Sequence, residues 1–157
     1  MPIPIELDRV KADVLEILDE TFGQHHGIFL DEGTSLFQTL EAYDAITASI
    51  PVGGKCASIA AQVTHVTFYL QVLERYILTG ASEDEDWGEI WRTVREVTPA
   101  QWAALRQKLQ QTYGRLLAEL EDDATWNREN AFPGALAILA HTAYHLGEIR
   151  QALCVLK

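Results

Sequence analysis

Residues 57–78 read ASIAAQVTHVTFYLQVLERYIL, and this stretch decides the fold class. Its apolar residues recur at steps of three and four, which places their side chains on one face of an α-helix. The members of this stripe are Ile59, Val63, Val66, Leu70, Leu73 and Ile77. Gly80 follows in the position where helices commonly end on a left-handed residue. The stretch therefore predicts a long helix whose apolar face must pack against other helices.

Other segments have the same helical period. Residues 5–22 carry one apolar face, and a second segment runs from Thr34-Ser35 to the break at Pro51 with its apolar positions on one stripe. Residues 98–101, Thr-Pro-Ala-Gln, are typical of a helix start. In such a start the threonine caps, the proline takes the first helical position, and the glutamine completes a capping box.

The last helix is expected to open at Pro133 and to be largely buried, because residues 135–156 are apolar on nearly every side. Strand-like alternation is absent apart from short ambiguous stretches. The sequence therefore predicts an all-α fold, a four-helix bundle with one or two short additional helices. The length of 157 residues argues for a single domain over residues 1–157, large enough to fold without disulfides.

The charge balance excludes several classes of partner. Twelve Lys and Arg residues face 23 Asp and Glu residues, which gives a net charge of −11. Because such a chain repels nucleic-acid phosphate and anionic lipid, neither a nucleic acid nor a membrane is an expected partner. We find no secretory leader and no apolar run of about 18–20 residues, so we expect the chain in the cytoplasm.

Three histidines are candidate metal ligands. His141 and His145 are four residues apart on the last helix, so their rings point the same way, about 40° apart and about 6 Å along the axis. Two imidazoles at this spacing can chelate one metal ion, and two boundary histidines with local hydrogen bonds are the alternative. Thr142 stands where zinc peptidases of the His-Glu-x-x-His type place their general base, which excludes that mechanism. His65 lies beside the stripe of residues 57–78, where it is either a third ligand or a boundary histidine.

The remaining histidines and the cysteines are weaker candidates. His25 and His26 are adjacent in a helix end or loop, and we expect both at the surface, with a role at a pocket rim for one of them as the alternative. Cys56 is nine residues before His65, and Cys154 is nine residues after the last histidine. Nine residues turn a helix half a turn away from the same face, so neither cysteine pairs with its neighbouring histidine. Both are expected to be free thiols that lie buried as small hydrophobes.

Three stretches together resemble the DinB/YfiT-like superfamily of metal-binding four-helix bundles. Residues 141–153, HTAYHLGEIRQAL, resemble its last-helix signature, and residues 58–65, SIAAQVTH, resemble the core helix that carries a ligand histidine. Residues 86–87, Asp-Trp, followed by residues 97–102, VTPAQW, resemble the approach to its third core helix. The resemblance covers nearly the whole chain in order and spacing.

The resemblance implies a metal triad of His65, His141 and His145 that holds one divalent ion, nickel or zinc. It also implies an enzyme that activates a small-molecule substrate, either a low-molecular-weight thiol such as bacillithiol or mycothiol, or water. Thiol transfer is the first expectation and hydrolysis the second. The alternative is a non-catalytic stress-response bundle that binds metal or a ligand. Since imidazole binds metal only when deprotonated, affinity is expected to fall as the pH drops through about 6.5.

The chain departs from the family pattern after the last ligand. Many members continue with His or Arg and then Gly-Gln, whereas here His145 is followed by Leu146, Gly147 and Glu148. Glu148 is on the same helical face as His145, so it is a candidate catalytic residue, either orienting the ligand ring or acting as an acid or base. An ion pair with Arg150 or with another helix is the alternative.

The tryptophans bear on assembly. Four of them exceed what one small bundle usually needs for its core: Trp87, Trp91, Trp102 and Trp126. With the family resemblance, which implies dimers, they favour a homodimer built on bundle helices. The alternative is that they cover the core as caps.

Overall fold

A computed structural model describes residues 6–54 and 56–156 of the chain. Over these residues the fold consists of helices and loops, without a strand. The α-helices are α1 (Leu7–Phe22), α2 (Leu36–Glu41), α3 (Ala45–Ser49), α4 (Ile59–Thr79), α5 (Glu89–Thr93), α6 (Pro99–Glu121) and α7 (Ala131–Leu156), and two 3-10 turns lie at Val52–Gly54 and Thr125–Asn127. The four long helices α1, α4, α6 and α7 form the bundle, which confirms the predicted all-α architecture.

Helix α4 lies at the centre of the bundle and packs against both α6 and α7. Most of its apolar stripe is buried as the periodicity predicts, with Ile59, Val63 and Leu70 all at 0% exposure, whereas Leu73 is only partly buried. The Ser58 hydroxyl accepts the N–H of Ala61 at 3.2 Å and caps the helix start. Gly80 ends the helix with φ +71°, the left-handed region that a residue with a Cβ rarely adopts.

The capping box predicted at the start of α6 is present. Thr98 accepts the N–H of Gln101 at 3.2 Å, and the Gln101 side chain accepts the N–H of Thr98 at 2.8 Å. One turn inside the helix, the buried Trp102 indole donates to the Tyr43 carbonyl at 2.8 Å. The Tyr43 hydroxyl in turn donates to the Ile149 carbonyl at 2.5 Å, so the connection between α2 and α3 is tied to both α6 and α7.

The segment from Thr34 to Pro51 forms two short helices where the apolar stripe predicted one. Asp44 interrupts it, because its side chain accepts the N–H of Thr47 at 2.7 Å and caps a new helix. Apolar side chains on either side of this break still reach the core, since Leu40 before it and Ala48 after it are 2% and 0% exposed.

Helix α7 differs from its prediction in two ways. It begins at Ala131, so Pro133 occupies the third position, where a proline is tolerated because first-turn N–H groups have no intrahelical acceptor. The helix is also not covered on all sides. Large apolar side chains remain exposed along what we call the outer face of α7: Phe132 (43%), Leu136 (40%), Tyr144 (62%) and Val155 (56%). The buried residues of α7 all lie on the opposite side, which faces the other long helices. The helix is therefore apolar on nearly every side but buried on only one.

Over residues 6–54 and 56–156, no single helix is both long and apolar enough to cross a membrane. In this part of the chain one pair of helical segments, Ala45–Gly54 and Ile59–Thr79, is together long and apolar enough to span a membrane. This holds by length and composition only, and the two segments are bent by 97° relative to each other.

Candidate metal centre

The packing of α4 against α7 brings three histidine rings together. His65 comes from the middle of α4, and His141 and His145 come from successive turns of α7. One ring nitrogen of each lies within 4.8 Å of those of the other two, and the Nε2 atoms of His65 and His141 are 3.0 Å apart. The four-residue spacing on α7 sets the 4.5 Å between the ring centroids of His141 and His145. The rings therefore converge as the spacing and the resemblance predict.

Burial keeps these imidazoles neutral. Burial, together with repulsion from the neighbouring imidazoles, lowers the pKa of His65 to about 4 and that of His141 to about 3. Burial also lowers the pKa of His145, against the opposing charge of Glu148. Near neutral pH each ring therefore has a lone pair free for a metal ion, the state that metal binding requires.

The donor set fits a divalent transition metal. Imidazole nitrogen suits nickel and zinc, whereas calcium and magnesium prefer oxygen. In the described part of the chain no fourth His, Cys, Asp or Glu joins the group. Three protein ligands leave a position for water or a substrate, as in catalytic zinc sites, whereas structural sites are closed by a fourth ligand. The three histidines could therefore hold a divalent metal ion.

Aromatic rings enclose one side of the histidine group. The Tyr69 ring stacks on His141 with centroids 3.6 Å apart and planes at 8°, and the Trp91 ring lies 4.5 Å from that of His65. Trp87 lies 6.4 Å from the same histidine. Because these rings displace water, they contribute to the burial that lowers the histidine pKa values. The sequence predicts Trp87 and Trp91 in the core or at an interface, and their four-residue spacing is the local signal of a shared role.

A family comparison identifies the superfamily of the chain. The family model of the DinB superfamily matches residues 34–149, which include all three histidines. The chain belongs to the DinB superfamily. No curated protein and no solved structure matches it.

In this DinB-superfamily chain, Glu148 contacts a histidine of the group. One carboxylate oxygen lies 3.0 Å from Nδ1 of His145, and the other accepts the Tyr144 hydroxyl at 2.8 Å. Among the described residues Glu148 has no ion pair with Arg150, the partner that the sequence left open. With its proton on Nδ1, His145 donates to Glu148 and presents the Nε2 lone pair to a metal ion.

A pocket of about 240 Å³ opens beside His145 and Glu148. Its polar lining includes the Gln62 amide, whose oxygen lies 3.4 Å from the same Nδ1 of His145, and the Tyr144 hydroxyl. A small molecule can therefore approach the histidine group from this side and meet a carboxylate, a phenol and an amide.

The cysteines are free, as expected, but both are exposed, so the prediction that they are buried is wrong. Cys56 precedes the capping residue of α4 and lies in the loop, where it lines the pocket beside His145. Cys154 is in the last turn of α7 and points away from the core side, which is occupied there by the buried Ala152. The prediction failed because helical periodicity does not tell whether a residue before a helix or in its last turn is covered by other parts of the protein.

The other two histidines lie outside the metal group, in the exposed loop after α1, as the sequence predicts. The His26 ring binds Asp19 with Nε2 and a carboxylate oxygen 2.6 Å apart. This hydrogen bond raises the pKa of His26 above its ordinary value. Neither His25 nor His26 lines the pocket beside His145.

Glu20, for which the sequence alone predicts no role, organises this same loop. Its carboxylate is 0% exposed and accepts backbone N–H groups from four consecutive residues, 26–29, with distances between 2.8 and 3.3 Å. Burial raises the pKa of Glu20, but the backbone donors outweigh it and lower the pKa below its ordinary value. The signal for this role is an acidic residue next to the apolar face of residues 5–22, just before a glycine-rich loop.

Replacing Glu20 with alanine is expected to lower the melting temperature by about 5 °C, because buried N–H groups lose their acceptor. Asp13→Ala, at an exposed position of the same helix, is the control and should change it little. Since the folded-state pKa is lowered, the contribution of Glu20 is present at neutral pH and is lost as the pH falls through that pKa. Equal melting temperatures for the two variants from pH 4 to pH 7, measured by circular dichroism, would contradict this role.

Proposed function

We propose that this DinB-superfamily chain is a metal-dependent enzyme. His65, His141 and His145 bind one divalent ion, nickel or zinc, and a low-molecular-weight thiol or water reacts in the pocket beside it. The observation that carries the proposal is the group of three neutral imidazoles within 4.8 Å of one another, next to a pocket with polar side chains. Thiol transfer is favoured because thiolates suit such ions, and hydrolysis is second. The cytoplasm, where small thiols stay reduced, is the expected compartment.

The residues around the pocket have distinct roles in this proposal. A divalent ion bound by the histidines supplies Lewis acidity, which lowers the pKa of a coordinated thiol or water. Glu148 fixes the orientation of His145, and its half-exposed carboxylate can take up the proton that the substrate loses. Tyr69, stacked on His141, keeps water away from the closed side of the histidine group, and Trp91 separates His65 from the pocket that it lines.

The test is metal analysis followed by an activity assay. Protein purified without a histidine tag is expected to contain about one nickel or zinc ion per chain. Metal-loaded protein is then assayed for transfer of bacillithiol and mycothiol to electrophilic acceptors, with metal-free protein as the control. Transfer that depends on metal supports the proposal. Full metal content without transfer or hydrolysis would contradict it and favour the alternative, a bundle that binds metal or a ligand without catalysis.

The pH dependence of metal binding follows from the lowered pKa values of the ligands. Because His65 and His141 have pKa values near 4 and 3, protons compete with metal only in acid. The affinity is therefore expected to stay constant from pH 7.5 down to about 5 and to fall below that. This window replaces the value near 6.5 expected for ordinary imidazoles. If titration calorimetry shows that the metal affinity already falls between pH 7 and 6, the histidines are not held neutral by burial and the prediction is wrong.

A homodimer is part of the proposal. Trp102 and Trp126 are buried and donate their indole N–H groups to backbone carbonyls of Tyr43 and Leu120, so they serve the core. Support for a second copy instead comes from the exposed outer face of α7, since apolar side chains aligned along one helix are typical of an interface.

Light scattering at micromolar concentration is expected to give the mass of a dimer. Leu136→Glu, on the outer face of α7, should give a monomer, because it places a charge in the apolar interface. Ile46→Glu, on α3 and 75% exposed, is the matched control and should leave the dimer intact. A monomeric wild-type chain at high micromolar concentration would contradict the homodimer.

A further inference from the structure

A larger cleft adjoins the pocket beside His145. It has a volume of about 790 Å³ and shares Cys56, Ala57 and Trp91 with that pocket. Small-molecule sites are usually clefts of about 300–1,000 Å³, so this cleft has the size of a ligand site. A molecule that reaches His145 past Trp91 extends into the cleft, because the shared residues line both spaces.

The described lining of the cleft combines apolar surface with an arginine. Val94, Pro51 and the Trp91 ring provide apolar contacts, and Arg95 lies beside them. Among the described residues Arg95 forms neither an ion pair nor a hydrogen bond, although the chain has a net charge of −11. Four of the other seven arginines lie within 4.0 Å of a carboxylate: Arg9, Arg75, Arg92 and Arg115.

We propose that this cleft binds small molecules with an apolar body and one carboxylate, which pairs with Arg95. The guanidinium group matches a carboxylate through two parallel hydrogen bonds. Glu96 lines the cleft next to Arg95 and disfavours ligands that carry several negative charges. The chemistry of the ligand follows from the lining of the cleft itself. The inference rests on the proposed function in one respect only, that the end of the ligand away from Arg95 lies beside the metal site.

The two cysteines allow a direct test. Both are free and exposed, but only Cys56 lines the cleft, so Cys154 is an internal control. Metal-free protein is alkylated with iodoacetamide, and the rate at each cysteine is followed by peptide mass spectrometry. Phenylacetate and phenylacetamide, which share one shape and differ in charge, serve as competitors. Phenylacetate is expected to protect Cys56 at about fivefold lower concentration than phenylacetamide, the discrimination that a partly exposed ion pair provides. Neither probe should slow Cys154.

Two variants complete the design. Arg95→Gln should abolish the discrimination between the two probes, whereas Arg92→Gln, which breaks an ion pair on the same short segment, should retain it. Equal protection by both probes, absence of protection at Cys56, or unchanged discrimination in Arg95→Gln would overturn the proposal. Because the protein is metal-free, these results do not depend on the metal chemistry. If the protein discriminates between the two probes but fails to bind metal or to transfer a thiol, only the proposed function is rejected and the ligand proposal stands.

Discussion

Replacing His141 with alanine is expected to abolish stoichiometric metal binding and to leave the helical circular dichroism intact. Loss of one of three imidazole ligands removes a nitrogen that the remaining two cannot replace, and no fourth ligand is near in the described residues. The helices do not need the ion, because their apolar faces form a continuous core. Metal added to the variant should no longer raise its melting temperature, since this stabilisation comes from binding to the folded state.

The chain offers both a control and a direct readout for this variant. His25→Ala removes an exposed histidine outside the group and should bind metal as the wild type does. Nickel is expected to quench tryptophan fluorescence in the wild type, because the Trp91 ring is 4.5 Å from the His65 ring. Unchanged affinity in His141→Ala would show that the ligand assignment is wrong. Unfolding of the variant at room temperature would make the metal structural and remove most support for an enzyme.

Replacing Glu148 with alanine is expected to weaken metal binding by about 10- to 100-fold, the usual loss when a ligand histidine loses its carboxylate partner. The physical reason is the 3.0 Å contact with Nδ1 of His145, which fixes the ring and leaves its Nε2 free to bind a metal ion. Glu148→Gln should lose less, because an amide oxygen still accepts the hydrogen bond without the charge. Competition titration with a chelating dye measures all three proteins.

Arg150→Ala separates the two roles that the sequence left open for Glu148. If Glu148 served an ion pair with Arg150, the arginine variant would perturb binding as the glutamate variant does. The structure instead pairs Glu148 with His145 and Tyr144, so Arg150→Ala should bind metal normally. Wild-type metal affinity in Glu148→Ala would contradict the positioning role. Loss of turnover at that unchanged affinity would favour an acid–base role instead.

Most of the bundle was predictable because its signals are local. The stripe of α4, the capping box of α6 and the end of α4 at Gly80 depend on residues within a few positions of one another. The pair His141 and His145 was predictable for the same reason, since four residues make one turn of helix. The boundaries were less certain, because Asp44 competes as a cap within an otherwise continuous stripe.

Contacts between distant segments were not predictable from spacing. The buried carboxylate of Glu20, the stacking of Tyr69 on His141 and the position of Trp91 against His65 all depend on how helices and loops meet. The predicted burial of Cys56 was wrong for the same reason. Hydrophobicity is a property of the residue, whereas burial depends on which other segments cover it.

The sequence by itself determined the helices, the spacing of two candidate ligands on one of them and the negative charge of the chain, since each follows from neighbouring residues or from composition. Only the tertiary structure decided that His65 faces the other two histidines, that burial lowers their pKa values, and that Glu148 contacts His145 and not Arg150. These properties arise from the packing of α4 against α7, which sets distances and excludes water between residues 76 positions apart in the chain.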